Sequence, residues 1–163
     1  MNIFILSWNP YVCAFWHCDK HCVKMILEYA QMLSTAHRVL DVIDECDDRV
    51  VLYKIAHKNH PCTVWTRESS GNYRWLYKLF CNLCDEYTRR YNKVHETDRK
   101  LRKCLRYCPV NIEENYMTEA AQAMPEQYKV EGDAVTAYRL YYCGDKRSIF
   151  TWKHGREPWW TNI

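Results

Sequence analysis

A column of polar residues near the N-terminus carries the groups needed for proton-transfer chemistry. Helical periodicity there places five polar side chains at successive intervals of four, three, four and three residues, and these are His17, His21, Lys24, Glu28 and Gln31. Residues with this spacing lie on one side of a helix. Two imidazoles, an amine and a carboxylate can together accept, hold and donate protons. This polar stripe therefore predicts a catalytic or substrate-binding surface, and an ordinary solvated helix face is the alternative.

A second group of histidines lies at residues 57–62, where the sequence reads His-Lys-Asn-His-Pro-Cys. It comes directly before a second long helical pattern. In an antiparallel pair of helices, this end of the second helix would face the polar stripe of the first. We therefore expect His57, Asn59 and His60 to contribute to the same site. A rigid turn whose imidazoles bond to backbone carbonyls is the alternative.

Histidine and cysteine are also metal ligands, and five of them fall within residues 13–22. The cysteines among them occupy helical positions rather than the loop-borne Cys-x-x-Cys pairs of structural zinc sites. His17 and His21 have the spacing of the HExxH zinc helix, but the glutamate of that motif is absent. The phosphate-binding glycine loop, the GxSxG turn and the dinucleotide fingerprint are absent as well. We expect no metal and no cofactor.

Positive charge is concentrated in residues 89–106, although the net charge of the whole chain is only +3. Eight basic residues stand there against two acids, and they are Arg89, Arg90, Lys93, Arg99, Lys100, Arg102, Lys103 and Arg106. A local basic patch on a nearly neutral protein suits an anionic partner such as DNA. A solvated helix face is the alternative.

Two long helices are predicted in the first part of the chain. The first begins at Asn9-Pro10, because Asn caps helices well and Pro suits the first helical position. Its periodicity runs to about Leu40, and it is either unbroken or restarts near Asp19. The second covers residues 65–91, and Gly71 is a candidate interruption of its first turns.

Two shorter helices are predicted after these. A basic helix covers residues 98–107, and a last helix runs from its cap at Asp133 to about Tyr142, with Gly144 as its stop. Trp152, Trp159 and Trp160 form an aromatic tail that we expect to pack back on the body. The predicted fold class is all-α, a compact single-domain fold over residues 1–163.

The 163 residues suit one domain with a real core. Ten cysteines would suit a secreted disulfide scaffold, but no secretory signal is recognisable at the N-terminus, so we interpret them as thiols in a reducing compartment. No stretch approaches the length of a membrane span. We expect a cytoplasmic, intracellular protein with no membrane partner.

Three short segments resemble one known family. They are Cys18-Asp19-Lys20-His21 with a glutamate, Glu28, seven residues later; Asn59-His60-Pro61 before the second helix; and the aromatic residues 138–146. Their order and spacing are similar to those of the pyrimidine-dimer DNA glycosylases of the endonuclease V type, small all-helical enzymes of phages and large viruses. The chain also resembles phage-borne proteins that share the sequence motifs CDKH and NHPC. We therefore expect a protein of viral origin that acts inside an infected host cell.

In that family the N-terminal α-amine attacks the deoxyribose C1′ and forms a Schiff base, a glutamate assists, and β-elimination cuts the strand. The resemblance implies that Glu28 is the catalytic carboxylate, that His21 and His60 shape the sugar and phosphate site, and that the basic patch holds duplex DNA. Asn2 disfavours removal of Met1, so either Met1 offers its own amine or the lyase step is lost. The catalytic candidates are Met1, His21 and Glu28. The substrate-binding candidates are His17, Lys24, Gln31, His57, Asn59 and His60.

Leu27 and Gln31 stand where the family carries phosphate-binding arginines. This difference keeps two other functions open. One is an enzyme that acts at the glycosidic bond of a free nucleotide or modified base. The other is a non-catalytic protein that binds nucleic acid or a host protein.

Overall fold

The computed structural model describes residues 1–44, 46 and 50–162, and most of these lie in six α-helices or in the turns that join them. The helices are α1 (Pro10–Trp16), α2 (Asp19–Leu40), α3 (Pro61–Glu68), α4 (Ser70–Tyr91), α5 (Glu96–Leu101) and α6 (Ala134–Cys143). Single 3-10 turns lie at Cys104–Arg106, Glu126–Tyr128, Arg147–Ile149 and Trp159–Asn162. No residue in the described part of the chain forms a β-strand, and the all-α prediction is confirmed.

The N-terminal residues before α1 pass through the protein interior as an irregular segment. Ile3, Phe4, Ile5 and Leu6 are each at most 4% exposed and belong to the hydrophobic core. Burial of apolar surface is the main favourable term in folding, so these four side chains hold the segment in place. The first residue of the chain is thereby fixed inside the fold rather than left free at its surface.

The first predicted helix is divided into α1 and α2, with the restart at Asp19. Asn9 caps α1 by accepting hydrogen bonds from the backbone N–H groups of Tyr11 and Val12, and Pro10 takes the first position, as predicted. The break at His17 and Cys18 is stabilised from a distance by Arg90, whose guanidinium donates to the carbonyls of Phe15 and His17, both at 2.9 Å. These bonds satisfy carbonyls that a helix end leaves without a partner.

The second predicted helix is also divided, but at Ser69 rather than at Gly71. Ser69 has an extended backbone and caps α4, since its hydroxyl accepts the N–H of Asn72 at 3.2 Å. Gly71 lies inside α4 and has a different role. Its N–H donates to the carbonyl of Asn115 at 3.1 Å, and the backbone of Met117 passes so close that a Cβ on Gly71 would lie 2.5 Å from the Met117 nitrogen.

The two longest helices, α2 and α4, pack against each other and give the core its centre, and α4 also contacts α1 and α3. Their buried faces follow the predicted helical periodicity. α5 is shorter than the predicted basic helix, since the chain turns into a 3-10 segment at Cys104. α6 begins at the Asp133 cap and is followed by Gly144, in agreement with the prediction.

The aromatic tail packs back on the body through two of its three tryptophans. Trp160 is 5% exposed and meets the rings of Trp16 and Tyr142 edge-on, and the indole N–H of Trp152 donates to the carbonyl of Trp16 at 3.3 Å. Trp159 instead is exposed. Within the described residues, no helix combines the length and apolar character that crossing a membrane requires.

We predict that Gly71→Ala lowers the free energy of unfolding by about 1–3 kcal/mol, as is typical when a well-packed contact is overfilled. The added methyl group would meet backbone atoms of residues 116 and 117, which cannot turn aside as a side chain can. Urea denaturation followed by circular dichroism measures the change. Gly132→Asn is the control, because Gly132 has a positive φ of 70° that Asn tolerates and no atom lies within 4 Å of its Cβ position. Equal stability of Gly71→Ala and the wild type would contradict the proposed contact.

Candidate active site

A small polar pocket opens beside the first residue of the chain, where the N-terminal segment, the first turns of α2 and the end of α6 meet. Its volume is about 130 Å³. The residues that line it are Met1, Asn2, Phe4, His21, Lys24, Met25, Glu28, Tyr141 and Lys146. Four of the predicted site residues, namely Met1, His21, Lys24 and Glu28, are therefore brought together at one place.

The α-amine of Met1 and the carboxylate of Glu28 form the centre of this pocket. The amine nitrogen lies 3.7 Å from Glu28 Oε2, and the side chains of both residues are largely shielded, with exposures of 3% and 12%. Lys24 approaches the other carboxylate oxygen to 3.3 Å, but its side chain is 62% exposed. A carboxylate this close to an amine can take up a proton from it and can stabilise positive charge that develops nearby.

His21 forms one wall of the pocket and is held in place from two sides. Its ring stacks on Phe4 with a centroid distance of 4.4 Å, and its Nδ1 lies 2.7 Å from the hydroxyl of Tyr142. Burial is the main reason that the pKa of His21 falls to about 2, and electrostatic interactions with His17 and with nearby lysines lower it further. His21 is therefore a neutral hydrogen-bonding group near neutral pH, not a carrier of positive charge.

The prediction that His17 binds substrate is wrong in this structure. His17 lies at the end of α1, so the break before Asp19 removes it from the stripe on α2, and it is completely buried. Its Nδ1–H donates to the carbonyl of Cys13 at 2.7 Å, and its Nε2 accepts the hydroxyl proton of Tyr29 at 2.8 Å. Burial lowers the pKa of His17 to about 4. Both ring nitrogens therefore form hydrogen bonds inside the core.

His60 lies near the pocket but does not line it. It caps α3, because its Nδ1 accepts the N–H of Cys62 at 3.2 Å. Burial is the main cause of its lowered pKa, the α-amine and His57 lower the pKa further, and the negative charge of Glu28 acts in the opposite direction. His57 and Asn59 are exposed and Gln31 is half-buried, and none of these three contacts the pocket.

Sequence reasoning did not assign Asn2, Phe4, Met25, Tyr141 or Lys146 to the site, although all five line it. Tyr141 and Lys146 belong to the aromatic segment 138–146, so the similarity of that segment to the family was the available signal. The amine of Lys146 lies 4.8 Å from the centre of the Tyr141 ring, a cation–π contact. Nothing in local sequence marks Asn2 or Phe4, because their roles depend on tertiary packing.

The predicted basic patch is partly neutralised by acids. Four of its arginines pair with carboxylates: Arg89 and Arg90 with Glu86, Arg99 with Glu96, and Arg102 with Asp85 and Asp98. Arg90 is in addition paired with Asp19 and its side chain is fully buried, so its assignment to DNA binding is wrong. Asp85 and Glu86 lie just before the segment whose charges were counted. Four cations of the patch remain exposed without a carboxylate partner among the described residues, and they are Lys93, Lys100, Lys103 and Arg106.

All ten cysteines are free thiols. Among the described residues, no three His, Cys, Asp or Glu side chains are grouped closely enough to hold a metal ion.

Comparison with protein families matches residues 1–99 to the pyrimidine dimer DNA glycosylase family. This match covers more than half of the chain, and the protein belongs to that family. Its function is therefore DNA glycosylase-like, with DNA as the substrate class. Neither the curated proteins nor the solved structures contained a significant match. The matched region contains the α-amine, His21 and Glu28, whereas Tyr141 and Lys146 lie beyond it.

We predict that protein stability falls between pH 6.5 and pH 5 by up to about 1.4 kcal/mol per pH unit for each of His17 and His21. Both histidines have a lowered pKa in the folded protein, at about 4 and about 2, and the ordinary value of 6.5 applies when the chain unfolds. The unfolded chain therefore binds more protons in this window, and acid favours it. Once the pH is below the pKa of a histidine in the folded protein, that histidine is protonated in both states and causes no further loss of stability.

Urea denaturation at pH 7, 6 and 5 measures this dependence. His21→Gln should retain the contribution of His17 and lose that of His21, so its stability should vary less steeply with pH than that of the wild type. Identical slopes for the two proteins would show that His21 does not remain neutral in the fold.

Proposed function

We propose that this protein removes a damaged or modified base from DNA, with the α-amine of Met1 as the nucleophile and Glu28 as the catalytic carboxylate. The observation that carries the proposal is the 3.7 Å contact between these two groups in a shielded pocket, inside the region that matches the family. An α-amine is a weaker base than a lysine side chain, so it is more often uncharged and nucleophilic near neutral pH.

The proposed reaction begins with attack of the amine nitrogen on the deoxyribose C1′. The glycosidic bond breaks, and the base leaves with the bonding electron pair and takes up a proton. The amine nitrogen then loses a proton to Glu28. The C1′–O4′ bond of the sugar ring breaks as the nitrogen lone pair forms the C1′=N bond, and O4′ leaves with the bonding electron pair and takes up the proton from Glu28, which gives the protonated Schiff base. Glu28 also stabilises the positive charge that develops on the sugar. In the lyase step, loss of a C2′ proton expels the 3′ phosphate, and water then hydrolyses the Schiff base and frees the amine.

His21 has a supporting part in this proposal. The Tyr142 oxygen accepts the N–H of Cys18 at 3.2 Å, and its own proton has two neighbouring acceptors, Nδ1 of His21 at 2.7 Å and the Cys18 sulfur at 3.5 Å. We assign the proton to Nδ1 of His21, because that contact is much the shorter and nitrogen is the better acceptor. The ring proton of His21 is then on Nε2, and the imidazole can donate a hydrogen bond to the sugar or its phosphate. Because His21 is neutral, it does this without competing with the amine for the charge of Glu28.

Three lysines at or near the pocket, of which Lys20 and Lys24 are exposed and Lys146 is half-buried, are the proposed contacts to the DNA backbone. Lys24 and Lys146 line the pocket, and Lys20 is near enough for its charge to act on His21. Lysine amines bind phosphates as point charges and need no fixed geometry. The unpaired cations of the basic patch, Lys93, Lys100, Lys103 and Arg106, are proposed as a second contact along a duplex.

We predict that Glu28→Gln reduces the rate of base release by at least about 100-fold, since a positioned acid or base contributes about 10²–10⁴ to a rate. The amide keeps the shape of the side chain and cannot accept a proton. The variant should remain folded, because the amide fills the same space and still presents an oxygen to the α-amine of Met1, and because the ion pair with the exposed Lys24 contributes little to stability. Base release from an ultraviolet-irradiated duplex and from duplexes with single modified bases, with a circular dichroism melt, measures both properties.

Glu126→Gln is the matched control. Glu126 also pairs with a lysine of its own segment, Lys129 at 2.7 Å, but it lies outside the pocket. It should release the base at the wild-type rate. Base release by Glu28→Gln at the wild-type rate would contradict the assignment of Glu28. Activity of the wild type on a mononucleotide, with no affinity for duplex DNA, would instead identify the free-nucleotide enzyme.

A further inference from the structure

The ion pair between Met1 and Glu28 cannot by itself fix the position of the α-amine. At 3.7 Å it is longer than a hydrogen bond, and the first residues of a chain fray unless other contacts hold them. A reacting nitrogen that moves by about 1 Å can lose about 100-fold in rate. Some other group near the N-terminus must therefore restrain the amine.

The side chain of Asn2 has the contacts that such a restraint needs. Asn2 is 8% exposed, and its Nδ2 donates to the carbonyl of Ala123 at 2.7 Å. Its Oδ1 lies 2.9 Å from the hydroxyl of Tyr138 and 3.3 Å from the thiol of Cys62, and it also accepts the N–H of Ile3 at 2.9 Å. We call Asn2, Tyr138, Cys62 and the Ala123 carbonyl the Asn2 anchor.

The anchor joins three separate parts of the chain at the residue next to the amine. Cys62 lies in α3, Tyr138 lies in α6, and Ala123 lies in the irregular segment between α5 and α6. The hydroxyl of Tyr138 has a single proton and lies between two acceptors, Asn2 Oδ1 at 2.9 Å and the carbonyl of Ala121 at 2.7 Å, which share it. Two of the three parts lie beyond residue 99, where the family match ends.

The side chain of Met1 is also held by α3, the helix that contains Cys62. Its side chain is 3% exposed, and its sulfur accepts a hydrogen bond from the hydroxyl of Thr63 at 3.3 Å. Loss of Met1 would move the terminal nitrogen by one residue, about 3.8 Å along the backbone. The amine would then be the backbone nitrogen of Asn2, whose side chain is locked in the core.

We propose that Asn2 is a positioning residue, whose side-chain amide, held by Tyr138 and the Ala123 carbonyl, fixes the α-amine of Met1 at the Glu28 carboxylate. This inference rests on the proposed function, in which that amine is the nucleophile. It also assigns a role in the reaction to residues outside the family match. These residues act through Asn2 and do not touch the substrate.

The test compares the full-length wild type with Tyr138→Phe and Asn2→Leu, after intact mass has shown that each carries Met1 with a free amine. Asn2→Leu keeps a bulky residue at position 2, so processing of Met1 should not change. Tyr73→Phe is the matched control, because Tyr73 is also fully buried and its hydroxyl bonds to a backbone carbonyl, that of Leu105 at 2.9 Å, away from the pocket. If Tyr138→Phe does not fold, the measurements on Asn2→Leu alone decide the proposal.

The first measurement is the rate at which limiting acetic anhydride acetylates the α-amine of Met1, located by peptide mass spectrometry. It needs no enzymatic activity. We expect acetylation to be about threefold faster or more in Tyr138→Phe and Asn2→Leu, because the N-terminus opens locally more often. Tyr73→Phe should match the wild type. Equal rates in all four proteins would overturn the proposal.

The second measurement is the single-turnover rate of borohydride trapping on a duplex with an abasic site. We expect about a tenfold slower rate at saturating DNA in the two anchor variants, with an unchanged half-saturating concentration, because position and not binding is altered. Trapping at the wild-type rate in both variants would overturn the proposal. If the wild type forms no adduct while acetylation differs as expected, the anchor holds and the proposed function fails.

Discussion

Burial of residues 2–6 is the constraint on which the candidate site depends. Four consecutive apolar side chains occupy the core, and the segment they form ends with Met1 beside Glu28. Withdrawing the whole segment from the interior would expose these side chains to water, at a cost of roughly 25 cal/mol for each Å² of apolar surface. The position of the amine is therefore tied to the stability of the whole fold. An N-terminal nucleophile needs a fixed position, because a mobile chain end would not keep its nitrogen at reacting distance from the substrate.

A second constraint comes from the buried guanidinium of Arg90. It pairs with Glu86 and Asp19 and bonds to carbonyls at the end of α1. Removing one partner of such a group leaves a buried charge uncompensated, which is strongly destabilising. The cluster fixes where α1 ends and α2 begins, and so determines which side chains of α2 face the pocket. Gly155 lies against the same guanidinium, where a Cβ would come within 2.9 Å, so the C-terminal segment closes over it.

Local signals in the sequence were sufficient for much of the fold. Helix caps are local signals, because a capping residue bonds to its neighbours in the sequence. The helices capped by Asn9 and Asp133 begin where these residues predict. The spacing of His21, Lys24 and Glu28 within one helix also placed those three side chains together. The prediction for His17 was wrong because the helix breaks before Asp19, and this break is stabilised by Arg90, which is 73 residues away in the sequence. The bond between Asn2 and Tyr138 joins residues 136 apart, and no periodicity reports such a contact. The basic patch was overestimated because a count of charges within a segment omits the acids that fold against it.

In the proposed reaction, the amine of Met1 forms the covalent intermediate with DNA. The direct measurement is to trap the wild-type protein on an abasic-site duplex with borohydride, digest both components, and locate the modified residue by tandem mass spectrometry. The account predicts the sugar remnant on the α-amine of Met1. A remnant on Lys24 or Lys146, the other amines of the pocket, would contradict it, as would base release that leaves every amine unmodified.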